Sequence, residues 1–230
     1  MNSASLLSWT PVAVVFDCDG TLMDTEKHWQ DARVRALAEI GFTPTAEFAE
    51  QAKGLHYTEC GQMLATLAGR PDLGERMTQR LLEHFQALVA DRPMTMPGAV
   101  ELVEALAGSM PLAVASNCPM EVVESCLDTA GLLQHFGHIV VPDGPVRPKP
   151  HPDVYLQAAR LCATEPSDIL AIEDSHCGVL AAQRAGMRVL GTGPRPADAT
   201  AALTDLWVDS LDDPRVQQWA HTRIPALATR

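Results

Sequence analysis

The stretch Pro11-Val12-Ala13-Val14-Val15-Phe16-Asp17-Cys18-Asp19-Gly20-Thr21 decides how this 230-residue chain is read. Pro11 to Phe16 form an apolar run rich in β-branched side chains, the pattern of a strand buried on both faces. Asp17 and Asp19 follow two residues apart, so both start from the same face and project near the strand's carboxyl end. Carboxylates at that spacing, about 6–7 Å, repel one another. A divalent cation removes that cost, and Mg²⁺ takes one or two carboxylates together with phosphate oxygens and water. Gly20 lets the backbone turn closely beside a ligand. Taken alone, the stretch reads equally well as a strand-end turn, because Asp and Gly are turn residues.

Working outward, similar apolar runs recur at Leu112–Ala115, 138–141, 169–172 and 188–190, with a weaker one at Leu206–Val208 that predicts an edge strand. Between them apolar residues recur at helical spacing, as in Val100, Val103 and Leu106, or Val154, Ala158 and Leu161. Gly108, Gly131 and Gly186 stand where such helices should stop. Strands alternating with helices predict an α/β fold, a doubly wound and mostly parallel sheet with helices on both faces. The alternation breaks once. From Thr25 to about Arg92 the periodicity is helical throughout, with candidate helices at 26–40, 45–52, 57–68 and 72–90. We expect an all-helical cap domain over 25–92, inserted into a core made of 1–24 and 93–230 and joined to it near 22–25 and 91–97.

Other strand ends carry further polar groups. Glu173-Asp174 follows the 169–172 run directly, and two acidic loops on one rim would build a metal site. Ser116-Asn117 follows Leu112–Ala115, with a hydroxyl and an amide suited to phosphate oxygens. Arg147-Pro148-Lys149-Pro150 follows the 138–141 run, its prolines stiffening the backbone around a lysine. Each of these alone reads as an ordinary loop; their order, each after its own strand, is what carries weight.

Composition sets the limits. Seventeen Lys and Arg against 29 Asp and Glu give a formal charge of −12, which offers nucleic acid or an anionic membrane little to bind. An anionic substrate then requires local cations that overturn the global field. Cys18, Cys60, Cys118, Cys126, Cys162 and Cys177 include no CxxC pair and no zinc spacing. We therefore expect a reduced, cytoplasmic protein. Cys18 should pack as a small apolar residue, and Cys118 should be partly exposed. Met1 to Pro11 lacks the features of a signal peptide, and no apolar run is long enough to cross a bilayer.

Asp17-Cys18-Asp19-Gly20-Thr21-Leu22-Met23-Asp24-Thr25, Ala115-Ser116-Asn117, Lys149-Pro150-His151-Pro152-Asp153 and Glu173-Asp174-Ser175 together resemble the motifs of the haloacid dehalogenase superfamily. The branch resembled is that of the helical-cap phosphatases and β-phosphoglucomutases, and the likeness runs from about residue 12 to 208. It implies a Rossmann-like core and a Mg²⁺-dependent phosphatase acting on a small phosphorylated metabolite, a sugar phosphate or sugar-acid phosphate. It assigns Asp17 as nucleophile and Asp19 as general acid and base. Gly20, Thr21, Ser116, Asn117 and Lys149 are placed around the phosphoryl group. Asp17, the backbone carbonyl of Asp19, and Asp174 would hold the metal, with Glu173 bound through water or nearby. Analogy with small relatives implies a monomer.

The same resemblance holds competing readings. A phosphosugar mutase shares every core residue, but the arginine that grips a second phosphate in mutases is replaced here by Tyr57. A phosphonate hydrolase would use a cap lysine such as Lys53, yet relatives of that kind lack the second aspartate. Lys53 and His56 are instead expected to contact substrate from the cap loop, His56 and Tyr57 reading equally as packing between helices; Trp29 carries the same two readings, entrance or packing, with packing slightly favoured. A non-catalytic binding protein would have no need of the carboxylate cluster.

Overall fold

A computed structural model describes residues 6–43, 55–91, 94–196 and 199–222. The sheet has strands β1 (Ala13–Phe16), β2 (Leu112–Ala115), β3 (His138–Val140), β4 (Ile169–Glu173), β5 (Arg188–Thr192) and β6 (Leu206–Val208). They lie in the order β3-β2-β1-β4-β5-β6, and every pairing is parallel. Strand order therefore reverses at β1, and open α/β sheets bind ligands beyond the strands' carboxyl ends at such a switch point. Asp17 leaves β1 at that place.

Alternation along the strands divides the core into two faces. Val14, Phe16, Val114, Leu170, Ile172 and Leu190 belong to one apolar cluster; Ala13, Val15, Ala113, Ala115, Ala171 and Val189 belong to the other. Helices α4 (Ala99–Ala107), α5 (Met120–Thr129) and α8 (Pro214–His221) cover the first through Leu102, Val123 and Trp219. Helices α6 (Asp153–Leu161) and α7 (His176–Arg184) cover the second through Tyr155, Ala158 and Val179. All four β1 residues are fully buried, as a central strand between two helical layers must be.

Between β1 and α4 lies a helical block: α1 (Glu26–Ala38), α2 (Tyr57–Leu67), a 3₁₀ turn over Pro71–Leu73 and α3 (Gly74–Asp91). Helix α3 packs on both α1 and α2. The Trp29 and Phe85 rings stack with centroids 3.6 Å apart, and a Cβ at Gly61 would collide with Thr78 on α3. The chain enters and leaves this block side by side: Asp24 N donates to Met94 O at 2.7 Å and Met96 N to Leu22 O at 2.9 Å. The helix expected at 45–52 lies outside the described residues. The one expected from 72 begins instead as the 3₁₀ turn, since Pro71 presets that geometry and supplies no N–H. Strand β5 runs on through Gly191 and Thr192 where only 188–190 was expected. Gly191 is there because the Trp207 ring of β6 occupies the space a Cβ would need. Among the described residues, no helix is long and apolar enough to cross a membrane.

Candidate active site

Asp17 continues the β1 ladder, its N–H donating to Ile172 O at 2.9 Å, and its side chain turns into a cleft between the sheet rim and α1. Lys149 reaches the same point from the loop after β3. Its ammonium is 2.6 Å from Asp17 Oδ1 and 2.6 Å from Glu173 Oε1, and the residue is only 1% exposed. The loop backbone is clamped by Asn117: Lys149 N donates to Asn117 Oδ1 at 2.8 Å, and Asn117 Nδ2 donates to Lys149 O at 3.2 Å. Asn117, expected on phosphate oxygens, thus spends its amide on positioning the lysine. Ser116 is buried beside it and lines the cleft, its Oγ accepting from Cys118 N at 3.0 Å.

Glu173 is completely buried, with both oxygens engaged. Oε1 accepts from Lys149 and from Tyr155 Oη at 2.7 Å; Oε2 accepts from Asp174 N, Ser175 N and Ser175 Oγ at 3.2–3.3 Å. It sits at the amino end of α7, where the helix dipole favours negative charge. Gly178, in the first turn, has no Cβ because the Glu173 carboxylate fills that space. These bonds fix Lys149, and make Glu173 an orienter of the ammonium more than a donor to an ion.

One oxygen from each of Asp17, Glu173 and Asp174 lies within 4.8 Å of the others. Two of these carboxylates, Asp17 and Glu173, share one ammonium, and Asp174 completes the group. Burial raises Asp17 well above the usual carboxylate range, Lys149 offsets this only in part, and Glu173, Asp174 and Asp19 push it further up. Burial opposes the charge on Lys149, but Asp17 and Glu173 outweigh it and hold the ammonium well above its ordinary value. The carboxylates that hold Lys149 up, and that push Asp17 further up after burial, leave this cluster with an excess of negative charge, which a divalent cation would neutralise. The hard oxygen donors suit Mg²⁺. Gly20 closes the cradle: at φ +82° it lies so near Asp174 that a Cβ would collide with the carboxylate.

Asp19 takes a separate path. Its Oδ1 accepts from Thr25 Oγ1 at 2.5 Å and Trp29 Nε1 at 3.1 Å, and its Oδ2 accepts from Cys118 Sγ at 2.8 Å. Its side chain is therefore outside the three-carboxylate group, leaving only its backbone carbonyl for the metal role assigned to it. Thr25 stands at the N-cap of α1 yet makes no side-chain cap bond, its hydroxyl being given to Asp19. A local helix rule is broken where a carboxylate needs holding.

The remaining expectations divide. Thr21 is fully buried, outside the cleft lining, with a hydroxyl that makes no hydrogen bond. His56 stands at the N-cap position of α2 without a side-chain cap bond, its Nδ1 2.6 Å from Thr58 Oγ1, and it is Tyr57 that lines the cleft. Lys53 lies outside the described residues. Cys118 is buried, not partly exposed, and burial followed by the neighbouring Asp19 raises its thiol well above the ordinary range. Cys18 packs in the core as expected. Thr25, Trp29, Glu26, Arg33 and Tyr155 reach the site or its supports without having been singled out for it. For Thr25, Trp29 and Arg33 the spacing of four along α1 was the available signal.

The haloacid dehalogenase-like hydrolase family model matches residues 14–192. A validoxylamine A 7'-phosphate phosphatase from Streptomyces hygroscopicus subsp. limoneus is 31% identical over 214 residues, covering 90% of this chain and 96% of that protein. A bifunctional riboflavin kinase/FMN phosphatase from Arabidopsis thaliana is 29% identical over 222 residues; the match covers 95% of this chain but 58% of that protein. In fold, the chain is similar to a β-phosphoglucomutase from Clostridium difficile, with a TM-score of 0.79 at 21% identity over 94% of this chain and 99% of the other. With the matched segment spanning both acidic strand ends and the lysine loop, the chain belongs to the haloacid dehalogenase-like hydrolases.

Proposed function

We propose that this hydrolase is a Mg²⁺-dependent phosphatase that releases inorganic phosphate from a small phosphorylated metabolite through an aspartyl phosphate on Asp17. The observation that carries the reading is the buried Asp17–Lys149 contact of 2.6 Å in a cleft that also holds Asp19 by three donors. Relatives named as phosphatases of phosphorylated metabolites support it.

The steps follow from these positions. Lys149 engages one Asp17 oxygen; the other attacks phosphorus, forming an O–P bond as the ester P–O bond breaks. Asp19, in its acid form, gives its proton to the departing alkoxide. It then takes a proton from the water that attacks the aspartyl phosphate, so that phosphate leaves and Asp17 is regenerated. Ser116 and Lys149 hold the non-bridging oxygens. Mg²⁺, when held by Asp17, Asp174 and the Asp19 carbonyl, supplies neutralisation of charge on the transferring group. The helical block between β1 and α4 serves as the cap that excludes water, and the connections at 22–25 and 94–97 serve as its hinge.

Phosphate release from a panel of phosphate esters tests the reading. Activity should vanish with a chelator and return with Mg²⁺; hydrolysis unaffected by the chelator would remove the metal from the scheme. The same assay separates hydrolysis from phosphosugar isomerisation, which retains the phosphoryl group. Asp19→Asn should lower kcat by roughly 10²–10⁴-fold, the range of positioned acid–base catalysis. It should do so least for esters with good leaving groups such as p-nitrophenol, which need no proton. An equal loss on all esters would assign Asp19 another role.

A further inference from the structure

Helix α1 brings more to the cleft than the two donors that hold Asp19. Arg33 follows Trp29 by one turn and Thr25 by two, and residues four apart share a helix face. At 1.5 Å per residue, Arg33 stands about 6 Å farther along the axis than Trp29 and about 12 Å beyond Thr25. Its side chain lines the cleft and is buried, and its Nη1 lies 3.2 Å from Glu26 Oε1, a carboxylate that lines the same cleft. A small ester whose phosphoryl group sits between Asp17, Asp19 and Lys149 would extend its other end toward this pair.

We propose that Glu26 and Arg33 are the specificity-determining contact for the body of the substrate, and that they select an uncharged, hydroxyl-rich ester, a sugar or polyol monophosphate, over one bearing a second anionic group. The proposal rests on the phosphatase reading above. A hydroxyl both donates and accepts; a guanidinium only donates and a carboxylate only accepts, so the two side by side suit neighbouring hydroxyls. A second phosphate or a carboxylate placed on Arg33 would lie beside Glu26, in a cleft that already contains Asp17, Asp19 and Asp174. Like-charge juxtaposition disfavours the wrong partner. Sites built to bond substrate hydroxyls also reject analogues lacking them, because the protein's polar groups are then left unpaired.

The test compares kcat/KM with Mg²⁺ for three ester classes: hexose and hexitol monophosphates, anionic-tailed esters (6-phosphogluconate and hexose bisphosphates), and phenyl phosphate. The wild type should prefer the best hexose or hexitol ester over every anionic-tailed one by roughly tenfold or more. Arg33→Gln should lose roughly 10–100-fold on the hexose and hexitol esters, mainly through KM, as expected for a lost charge-assisted hydrogen bond. Its loss on phenyl phosphate should be smaller by about tenfold. Glu26→Gln should narrow the preference against anionic tails by about tenfold, since Arg33 then faces them without a carboxylate beside it. That variant carries the test independently should loss of the buried arginine unfold the protein. A wild type that prefers an anionic-tailed ester, or variants whose ratios among the classes match the wild type, overturns the assignment. Failure of the wild type to hydrolyse phenyl phosphate or any other ester overturns the phosphatase reading itself, and this one with it.

Discussion

Asp17→Asn is expected to lower kcat by about 10⁴–10⁶-fold, the range found when a covalent nucleophile or its partner is deleted, while leaving the fold intact. The amide matches the carboxylate in shape but cannot form the acyl phosphate. Lys149 keeps its contact with Glu173 at 2.6 Å, so the ammonium is not stranded. Removing one of three carboxylates from around a single ammonium also relieves repulsion. Burial, the first cause of Asp17's rise above the usual carboxylate range, and repulsion from Glu173, Asp174 and Asp19 are both removed together with its charge. The variant's melting temperature in metal-free buffer should therefore equal or exceed that of the wild type. Phosphate-release kinetics and thermal unfolding read the two halves separately. Turnover within tenfold of wild type would remove Asp17 as nucleophile; a collapsed melting temperature would mean that its ion pair outweighs the crowding.

How much of this was legible in the sequence depends on how local each signal is. Strand β1 and the carboxylates that follow it are a contiguous pattern, and periodicity alone placed them. The edge strand β6 was legible for the same reason. Glu173 was legible as a group at a strand end, but not its engagement, because the bonds to Tyr155 Oη and Lys149 Nζ join residues 18 and 24 positions apart. Cys118 was misjudged through its distance from Asp19, 99 residues along the chain, which only folding closes to a 2.8 Å contact. The spacing of Trp29 favours packing over the entrance, and it does pack, stacking on Phe85 while its indole N–H serves Asp19. A residue with two duties shows only the commoner one in a pattern of apolar spacing.

The opposition between global and local charge has an answer in this geometry. A chain of net charge −12 repels a phosphate ester at long range. Over a few ångströms, however, desolvated cations outweigh distant carboxylates that water screens, and the carboxylates grouped at Lys149 would be offset by a bound Mg²⁺. Lys149 has that position, and Arg33 adds a second cation at the far end of the cleft, tempered by Glu26. The acidic surface is then a discriminator rather than an obstacle, since it weighs most heavily against ligands with more than one anionic group.

Lys149→Met is expected to be inactive and also unstable, with the instability growing as pH rises. Deleting one partner of a buried ion pair typically costs about 3–5 kcal/mol, because the other charge is left uncompensated. Here two carboxylates, on Asp17 and Glu173, lose the same ammonium. The dependence on pH has a definite sign. Burial already holds Asp17 above the usual range in the presence of Lys149, and losing the ammonium raises it further. An acid whose folded value lies above its unfolded one keeps its full stability below the unfolded value and loses it as pH climbs through the folded one. The deficit relative to wild type should therefore be small near pH 5 and widen toward pH 8, measured as urea unfolding in metal-free buffer. Stability equal to wild type at pH 8 would show that the ammonium is not what offsets these carboxylates. Activity should fall by at least about 10²–10³-fold, as when a preorganised donor to the transition state is removed. Lys149→Arg should not restore it: the site is closed by the Tyr155 ring, with Nζ 5.1 Å from its centroid, and the forked guanidinium needs more room than an ammonium.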